Sequence, residues 1–97
     1  MRRLVTPGEI LSEEFLKPLH LSAHALATAL HVPPARIRAI IQDKTHLSAD
    51  TALRLGRYFG TNAEFWMNLR TNYELAKARR AMSKVIEREV PIRGRSQ

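Results

Sequence analysis

Two adjacent prolines, Pro33 and Pro34, constrain this 97-residue chain more than any other feature. Proline has no backbone N–H and a fixed φ, so it is tolerated at the first position of a helix but not in its interior. It also holds the residue before it in an extended conformation. In the stretch HVPPARIRAII (31–41), isoleucines follow the prolines at helical spacing. The stretch therefore predicts that one helix ends near His31 and that a second begins at Pro34 in a new direction.

Apolar residues recur at helical spacing in five segments and alternate over no long stretch, which favours helices over strands. The expected helices cover residues 8–17, 22–30, 34–43, 48–59 and 61 to about 82. Pro7 lies near the first helical position, and Ser22 and Ser48 are candidate N-caps. Gly60 closes the fourth helix, and Thr61-Asn62-Ala63-Glu64 has the form of a capping box for the fifth.

The second and third helices carry the buried positions that a helix-turn-helix requires. These positions are Leu26, Ala27, Leu30, Val32, Ile37 and Ile40. The small side chain of Ala27 lets the helices cross closely, Val32 fills the corner, and the isoleucines seat the second helix on the first. An ordinary corner between two helices of a small bundle is the alternative interpretation.

The face of the third helix opposite its isoleucines is suited to the major groove of DNA. The candidates for contact with base edges are Ala35, Arg38, Ala39 and Gln42. Alanines allow close approach, while Arg can read a guanine edge and Gln an adenine edge. The candidates for phosphate contacts are Thr28, Arg36, Lys44 and Thr45. A solvated helix face is the alternative for each arginine taken singly.

The charge is positive and unevenly distributed. The net charge is +7, and residues 77–97 contribute +5 of it, with seven Lys and Arg against two Glu. A small basic chain favours a polyanionic partner, most often nucleic acid. We expect one all-α domain over residues 1–82 and a basic, loosely ordered C-terminal tail over residues 83–97.

Residue types that carry catalysis or hold metals form no motif here. The chain has no cysteine and four histidines, and a helix break at Leu21-Ser22 separates His20 from His24. No phosphate-binding glycine loop, nucleophile elbow or HExxH motif is present. We therefore expect no enzyme activity, no metal and no cofactor. No apolar run follows the first residues, so we also expect no signal peptide, no membrane span and a cytoplasmic location.

Four stretches together resemble one known family. They are TPGEILSEEFLKPL (6–19), LSAHALATALHVPPARIRAII (21–41), LSADTALRLGRYFGTNAEFWMNL (47–69) and NYELA (72–76). They are similar to HigA-type antitoxins of the Xre-like, lambda-repressor-like helix-turn-helix group. The resemblance implies a five-helix DNA-binding fold, a homodimer on a palindromic operator, repression of its own operon, and neutralisation of a RelE-like ribonuclease toxin.

The sequence departs from this family pattern at two positions of the helix-turn-helix. Many relatives have Gln where this chain has Ala23, so His24 becomes a substitute candidate for phosphate contact. His31 occupies the corner that usually holds Gly, where a left-handed backbone is less comfortable for a residue with a side chain. These departures keep two alternatives open: a protein-interaction module with weak DNA binding, and an Xre-family regulator without a toxin.

Two further sets of residues are candidates for protein contacts. Trp66 and Tyr73 lie on one stripe of the fifth helix, and we expect them to meet the same stripe of a second copy across a two-fold axis. Ordinary packing in the core is the alternative interpretation of this stripe. Glu9, Glu13 and Glu14 form an acidic cluster without a catalytic partner. A solvated helix face is one interpretation of this cluster, and contact with a basic toxin is the other.

Overall fold

The computed structural model describes residues 3–94, and these residues form helices joined by short turns. The first helix begins as α1 (Pro7–Ile10) and continues directly as a π-helix (Leu11–Leu16). It is followed by α2 (Ala23–Leu30), α3 (Pro34–Ile41), α4 (Ala49–Phe59) and α5 (Ala63–Glu89). The described residues contain no strand, which confirms the all-α prediction. No helix among them is both long enough and apolar enough to cross a bilayer.

The helices begin mostly where the sequence predicts. Ser22 Oγ accepts the Ala25 N–H at 3.0 Å, and Ser48 Oγ accepts the Thr51 N–H at 3.2 Å. Both serines are therefore N-caps, as expected. Gly60, with φ of 74°, ends α4 in the left-handed conformation that glycine adopts without steric cost.

The start of α5 differs from the prediction by one residue. Asn62, not Thr61, is the N-cap, and its Oδ1 accepts the Phe65 N–H at 2.8 Å. Thr61 Oγ1 instead accepts a hydrogen bond from Trp66 Nε1 at 2.9 Å. The predicted capping box is therefore wrong, because the buried indole takes the threonine hydroxyl.

The buried residues confirm the predicted packing of α3 on α2. The six predicted positions, Leu26, Ala27, Leu30, Val32, Ile37 and Ile40, are all buried. The first helix covers α3 from the other side at Gly8, where a Cβ atom would overlap the Ile40 carbonyl oxygen. A glycine is required there because the two backbones touch.

Trp66 lies at the centre of the aromatic part of the core. Its side chain is 0% exposed, and its ring centroid is 4.9 Å from that of Phe15 and 5.0 Å from that of Phe65. The prediction that Trp66 lies in a dimer interface is therefore wrong, since its own protomer encloses it. Truncation of a buried Trp costs about 3–5 kcal/mol, so this residue is a main support of the fold.

The last helix is longer than the sequence analysis expected. α5 continues beyond Met82 to Glu89, so residues 83–89 of the predicted loose tail are helical. No proline or glycine interrupts residues 63–90, and Pro91 is the first residue that must stop the helix. Residues 95–97 of the predicted tail lie outside the described part. The extended α5 makes the molecule elongated, with dimensions of 58 × 26 × 21 Å.

The corner between α2 and α3 has a left-handed residue that is not glycine. His31 has φ of 59° and ψ of 46°. Its N–H donates to the Thr28 carbonyl at 3.2 Å, and the Val32 N–H donates to the Ala27 carbonyl at 3.0 Å. These two bonds form a Schellman motif, in which glycine is the usual left-handed residue. The third helix ends in the same way at Asp43, with φ of 57°.

We expect His31→Gly to raise the free energy of unfolding by about 1 kcal/mol, because it removes the Cβ that makes this conformation costly. Urea unfolding of the wild type and the variant measures the difference. His24→Gly, at an exposed helical position of α2, is the matched control and should lower the free energy of unfolding. If His31→Gly lowers the free energy of unfolding instead, the His31 side chain stabilises the fold by more than its left-handed backbone conformation costs.

Candidate nucleic-acid interface

The outward face of α3 presents the strip that its sequence predicts. Ile37 and Ile40 are buried beneath the helix, while Ala35 and Arg38 are exposed and Ala39 is half-buried on the other side. The third helix ends at Ile41, two residues before the predicted end, so Gln42 is its C-cap, with φ of −87° and ψ of 4°. The strip is therefore a short helical surface with an exposed amide at its C-terminal end.

The two arginines of α3 have different surroundings. Arg36 Nη1 lies 3.2 Å from Asp50 Oδ2 on α4, and Arg54 Nε lies 3.0 Å from the same oxygen. Arg54 also donates from Nη1 to the Leu30 carbonyl at 2.8 Å, which ties α4 to the end of α2. Arg38 has no side-chain partner among residues 3–94. Its guanidinium keeps all of its donors available for a ligand.

The loop after α3 carries two of the predicted phosphate contacts, and α5 holds this loop in place. Lys44 and Thr45 are both exposed. On one side of them the Tyr73 hydroxyl donates to Asp43 Oδ2 at 3.0 Å. On the other side His46 Nδ1 lies 2.9 Å from Glu74 Oε2. We call this set of contacts the α5 clamp.

A third bond completes the α5 clamp: Arg70 Nη1 donates to the Leu47 carbonyl at 3.3 Å, and Arg70 Nε also donates to Glu74 at 3.1 Å. Sequence reasoning missed Arg70 and Glu74 as supports of the loop. Their separation of four residues indicates a helical ion pair, but it carries no information about a loop far away in the chain.

The predicted phosphate contacts on α2 lie on its surface. Thr28 and His24 are both exposed, and Thr28 Oγ1 donates to the His24 carbonyl at 3.1 Å. The oxygen of Thr28 still has lone pairs for a donor, but the hydroxyl proton is already committed within the helix. His24 has an imidazole free of side-chain partners within residues 3–94, so of the two it is the better candidate donor to phosphate.

The acidic cluster is mostly compensated by local partners. Glu9 forms a capping box with Thr6 and an ion pair with Arg3, and Glu13 pairs with Lys17 at 2.6 Å. The hydrogen bonds from Arg3 and from the Thr6 N–H lower the pKa of Glu9. Its carboxylate therefore stabilises the fold above the unfolded pKa, and this contribution disappears as the pH falls through the folded pKa. Glu14 is exposed and has no side-chain partner within the described residues.

Tyr73 is used within its own protomer. Its side chain is half-buried, its hydroxyl belongs to the α5 clamp, and Lys77 Nζ lies 5.5 Å from its ring centroid. Its predicted contact across a two-fold axis remains a prediction.

The chain is similar to known proteins in sequence and in fold. The Helix-turn-helix family model matches residues 13–66, from the π-helix to the start of α5. Virulence-associated protein I of Dichelobacter nodosus is 58% identical over 74 residues, which are 76% of this chain and 68% of that protein. The antitoxin HigA of Pseudomonas aeruginosa, solved with the higBA promoter, superposes with a TM-score of 0.88. It is 48% identical, and the match covers 92% of this chain and 97% of that one.

The chain belongs to the HigA-type, Xre-like helix-turn-helix family. An addiction-module antidote protein of the HigA family from Coxiella burnetii also matches, with 43% identity and a TM-score of 0.88 over 94% of this chain and 99% of that one. The structural similarity extends beyond the helix-turn-helix into α5, because the two structural matches cover 92% and 94% of this chain. The sequence-based resemblance is thereby confirmed.

Proposed function

We propose that this HigA-family protein is an antitoxin that binds its own operator as a dimer and represses its operon. The observation that carries the proposal is the exposed strip on α3, with an unpaired arginine and a terminal amide beside two alanines. The similarity to a HigA antitoxin solved with the higBA promoter supports the same function.

In the proposed complex, α3 enters the major groove with its outward strip against the base edges. Ala35 and Ala39 allow the helix to approach the groove floor, Arg38 reads a guanine edge, and Gln42 reads an adenine edge. Lys44 and Thr45, held by the α5 clamp, contact phosphates and fix the register of the helix. His24 on α2 supplies a further phosphate contact, and Thr28 adds one when its hydroxyl turns away from the His24 carbonyl. These contacts are sequence-independent, so the α3 strip alone determines which operator is preferred.

Arg36 contacts phosphate in the proposed complex after its side chain leaves Asp50. It shares Asp50 with Arg54, so Asp50 retains one ion pair when Arg36 turns towards DNA. The side chains of both ion pairs are about half exposed to solvent, and exposed pairs are worth about 0–1 kcal/mol, so the loss of the Arg36–Asp50 pair costs little.

We expect Arg38→Ala/Gln42→Ala to reduce discrimination between the operator and a random duplex by about 1–3 kcal/mol for each lost contact. Discrimination is measured by titrating the protein with two duplexes, one from the DNA upstream of the gene and one with a scrambled sequence. Arg57→Ala/Asn68→Ala removes the same chemical groups from exposed positions on α4 and α5 and should leave discrimination unchanged. Equal binding of both duplexes by the wild type would overturn operator recognition, and unchanged discrimination in the α3 variant would overturn the residue assignment.

The proposed dimer uses the exposed apolar side of α5 in place of Trp66. Leu75, Met82 and Ile86 are 46%, 44% and 50% exposed, and half-buried Val85 lies beside them. At 100° per residue these four side chains fall within about 100° of one another, forming a single stripe. Packing two such stripes across a two-fold axis would remove them from water and set the two α3 helices about one DNA turn apart.

We expect Met82→Glu/Ile86→Glu to convert the dimer to a monomer, because the change buries four charges in the proposed interface. Sedimentation velocity across a dilution series measures the association. Lys84→Glu places an acid on the opposite side of the same helix and should remain dimeric. A wild-type protein that is monomeric at micromolar concentration would contradict the proposed dimer, and a dimeric double variant would contradict this interface.

The antitoxin role requires a toxin partner, and the proposed partner is a RelE-like ribonuclease. Glu14 is the one member of the acidic cluster without local compensation within residues 3–94, which makes it the better candidate for contact with a basic toxin. We expect the protein to co-purify with the product of an adjacent small basic reading frame and to inhibit its cleavage of RNA. If no such product binds, the protein is a regulator without a toxin, and the operator assay above still decides whether it binds DNA.

A further inference from the structure

The C-terminal part of α5 carries a line of positive charge that the proposed function does not use. Its members are Lys77, Arg80, Lys84 and Arg88, which we call the basic stripe. At 100° per residue they fall within about 80° of one another, on one side of the helix. All four are exposed. The side opposite them is the apolar stripe assigned to the dimer.

The N-terminal end of the basic stripe lies near the C-terminal end of α3. Lys77 Nζ lies 5.5 Å from the ring centroid of Tyr73, and the Tyr73 hydroxyl donates to Asp43, the residue after the C-cap of α3. Lys44 follows Asp43 and is exposed. Lys44 of the loop after α3 and Lys77 of the basic stripe therefore both lie close to the contact between Tyr73 and Asp43.

Helix electrostatics do not account for the basic stripe. A cation is favourable within the last turn of a helix, which explains Arg88 but not Lys77 or Lys84. Lys84 and Arg88 have no side-chain partner among residues 3–94. Cations three and four residues apart repel one another and destabilise a helix by a few tenths of a kcal/mol per pair. An extended anionic partner would turn this repulsion into attraction.

We propose that the basic stripe binds the DNA phosphate backbone beside the groove that α3 occupies. From Lys77 to Arg88 the helix rises about 16 Å, which is close to half a turn of B-DNA. Duplex DNA is a continuous line of negative charge that matches a line of cations better than a compact acidic patch does. This inference rests on the proposed function, since it adds a contact to the same complex. It makes α5 a second DNA-binding element.

The test compares two variants that each lose two positive charges. Lys84→Gln/Arg88→Gln removes half of the basic stripe, and Lys17→Gln/Arg57→Gln removes exposed cations from the end of the first helix and from α4. Operator affinity is measured between 50 and 200 mM salt. Each phosphate contact contributes about 0.9 to the slope of log affinity against log salt. A dimer loses up to four of these contacts in the stripe variant, so we expect its slope to fall by about 2–4 and that of the control to stay at the wild-type value. Circular dichroism and sedimentation verify that both variants keep α5 helical and dimeric.

A second measurement separates this inference from the proposed function. Phosphate contacts carry no sequence information, so the stripe variant should lose the same factor of affinity for the operator and for a random duplex. Its discrimination should match the wild type, unlike that of Arg38→Ala/Gln42→Ala. A wild-type slope in the stripe variant, or an equal fall in the control, overturns the inference while leaving operator recognition intact. Loss of toxin co-purification with unchanged DNA affinity would assign the stripe to a protein partner. A wild type that binds neither duplex overturns both proposals.

Discussion

The burial of Ile37 and Ile40 is the constraint on which the rest of the structure depends. The third helix is only eight residues long, so two isoleucines fix both its position and its rotation. Both isoleucines pack in the core with the buried residues of α2. The first helix also contacts α3, at Gly8, whose backbone lies against the Ile40 carbonyl. Once these contacts form, Arg38 and Gln42 have to face solvent. The burial of the isoleucine side of α3 therefore determines which residues form the proposed DNA-recognition surface.

The fifth helix contributes both to the hydrophobic core and to the proposed DNA interface. Its N-terminal half carries Trp66 into the core, and its middle holds the loop of Lys44 and Thr45 through the α5 clamp. Its C-terminal half projects from the body with an apolar stripe and a basic stripe on opposite sides. In the proposed complex one rigid helix therefore sets both the distance between two protomers and the position of each phosphate-binding loop. A shift of α5 would change both together.

The turns show how local strain is tolerated where a helix must stop. His20, His31 and Asp43 are left-handed although none is glycine. Each costs about 1–2 kcal/mol relative to an ordinary backbone conformation. At His31 the adjacent Val32 is buried and the Schellman hydrogen bonds satisfy the last carbonyls of α2. At Asp43 the hydrogen bond from Tyr73 holds the carboxylate. The surrounding contacts are what keep these conformations in place.

The sequence by itself determined what depends on near neighbours. Pro33 and Pro34 decided where α2 and α3 separate, Ser22 and Ser48 decided two helix starts, and the spacing of Ile37 and Ile40 decided which face of α3 is outward. The tertiary structure decided what depends on distant partners. It enclosed Trp66 instead of leaving it for a second copy, moved the cap of α5 from Thr61 to Asn62, and brought Tyr73 and Glu74 to a loop about thirty residues earlier in the chain. Helical periodicity shows which residues share a face, but only packing decides what covers that face, because burial depends on atoms that are not neighbours in sequence.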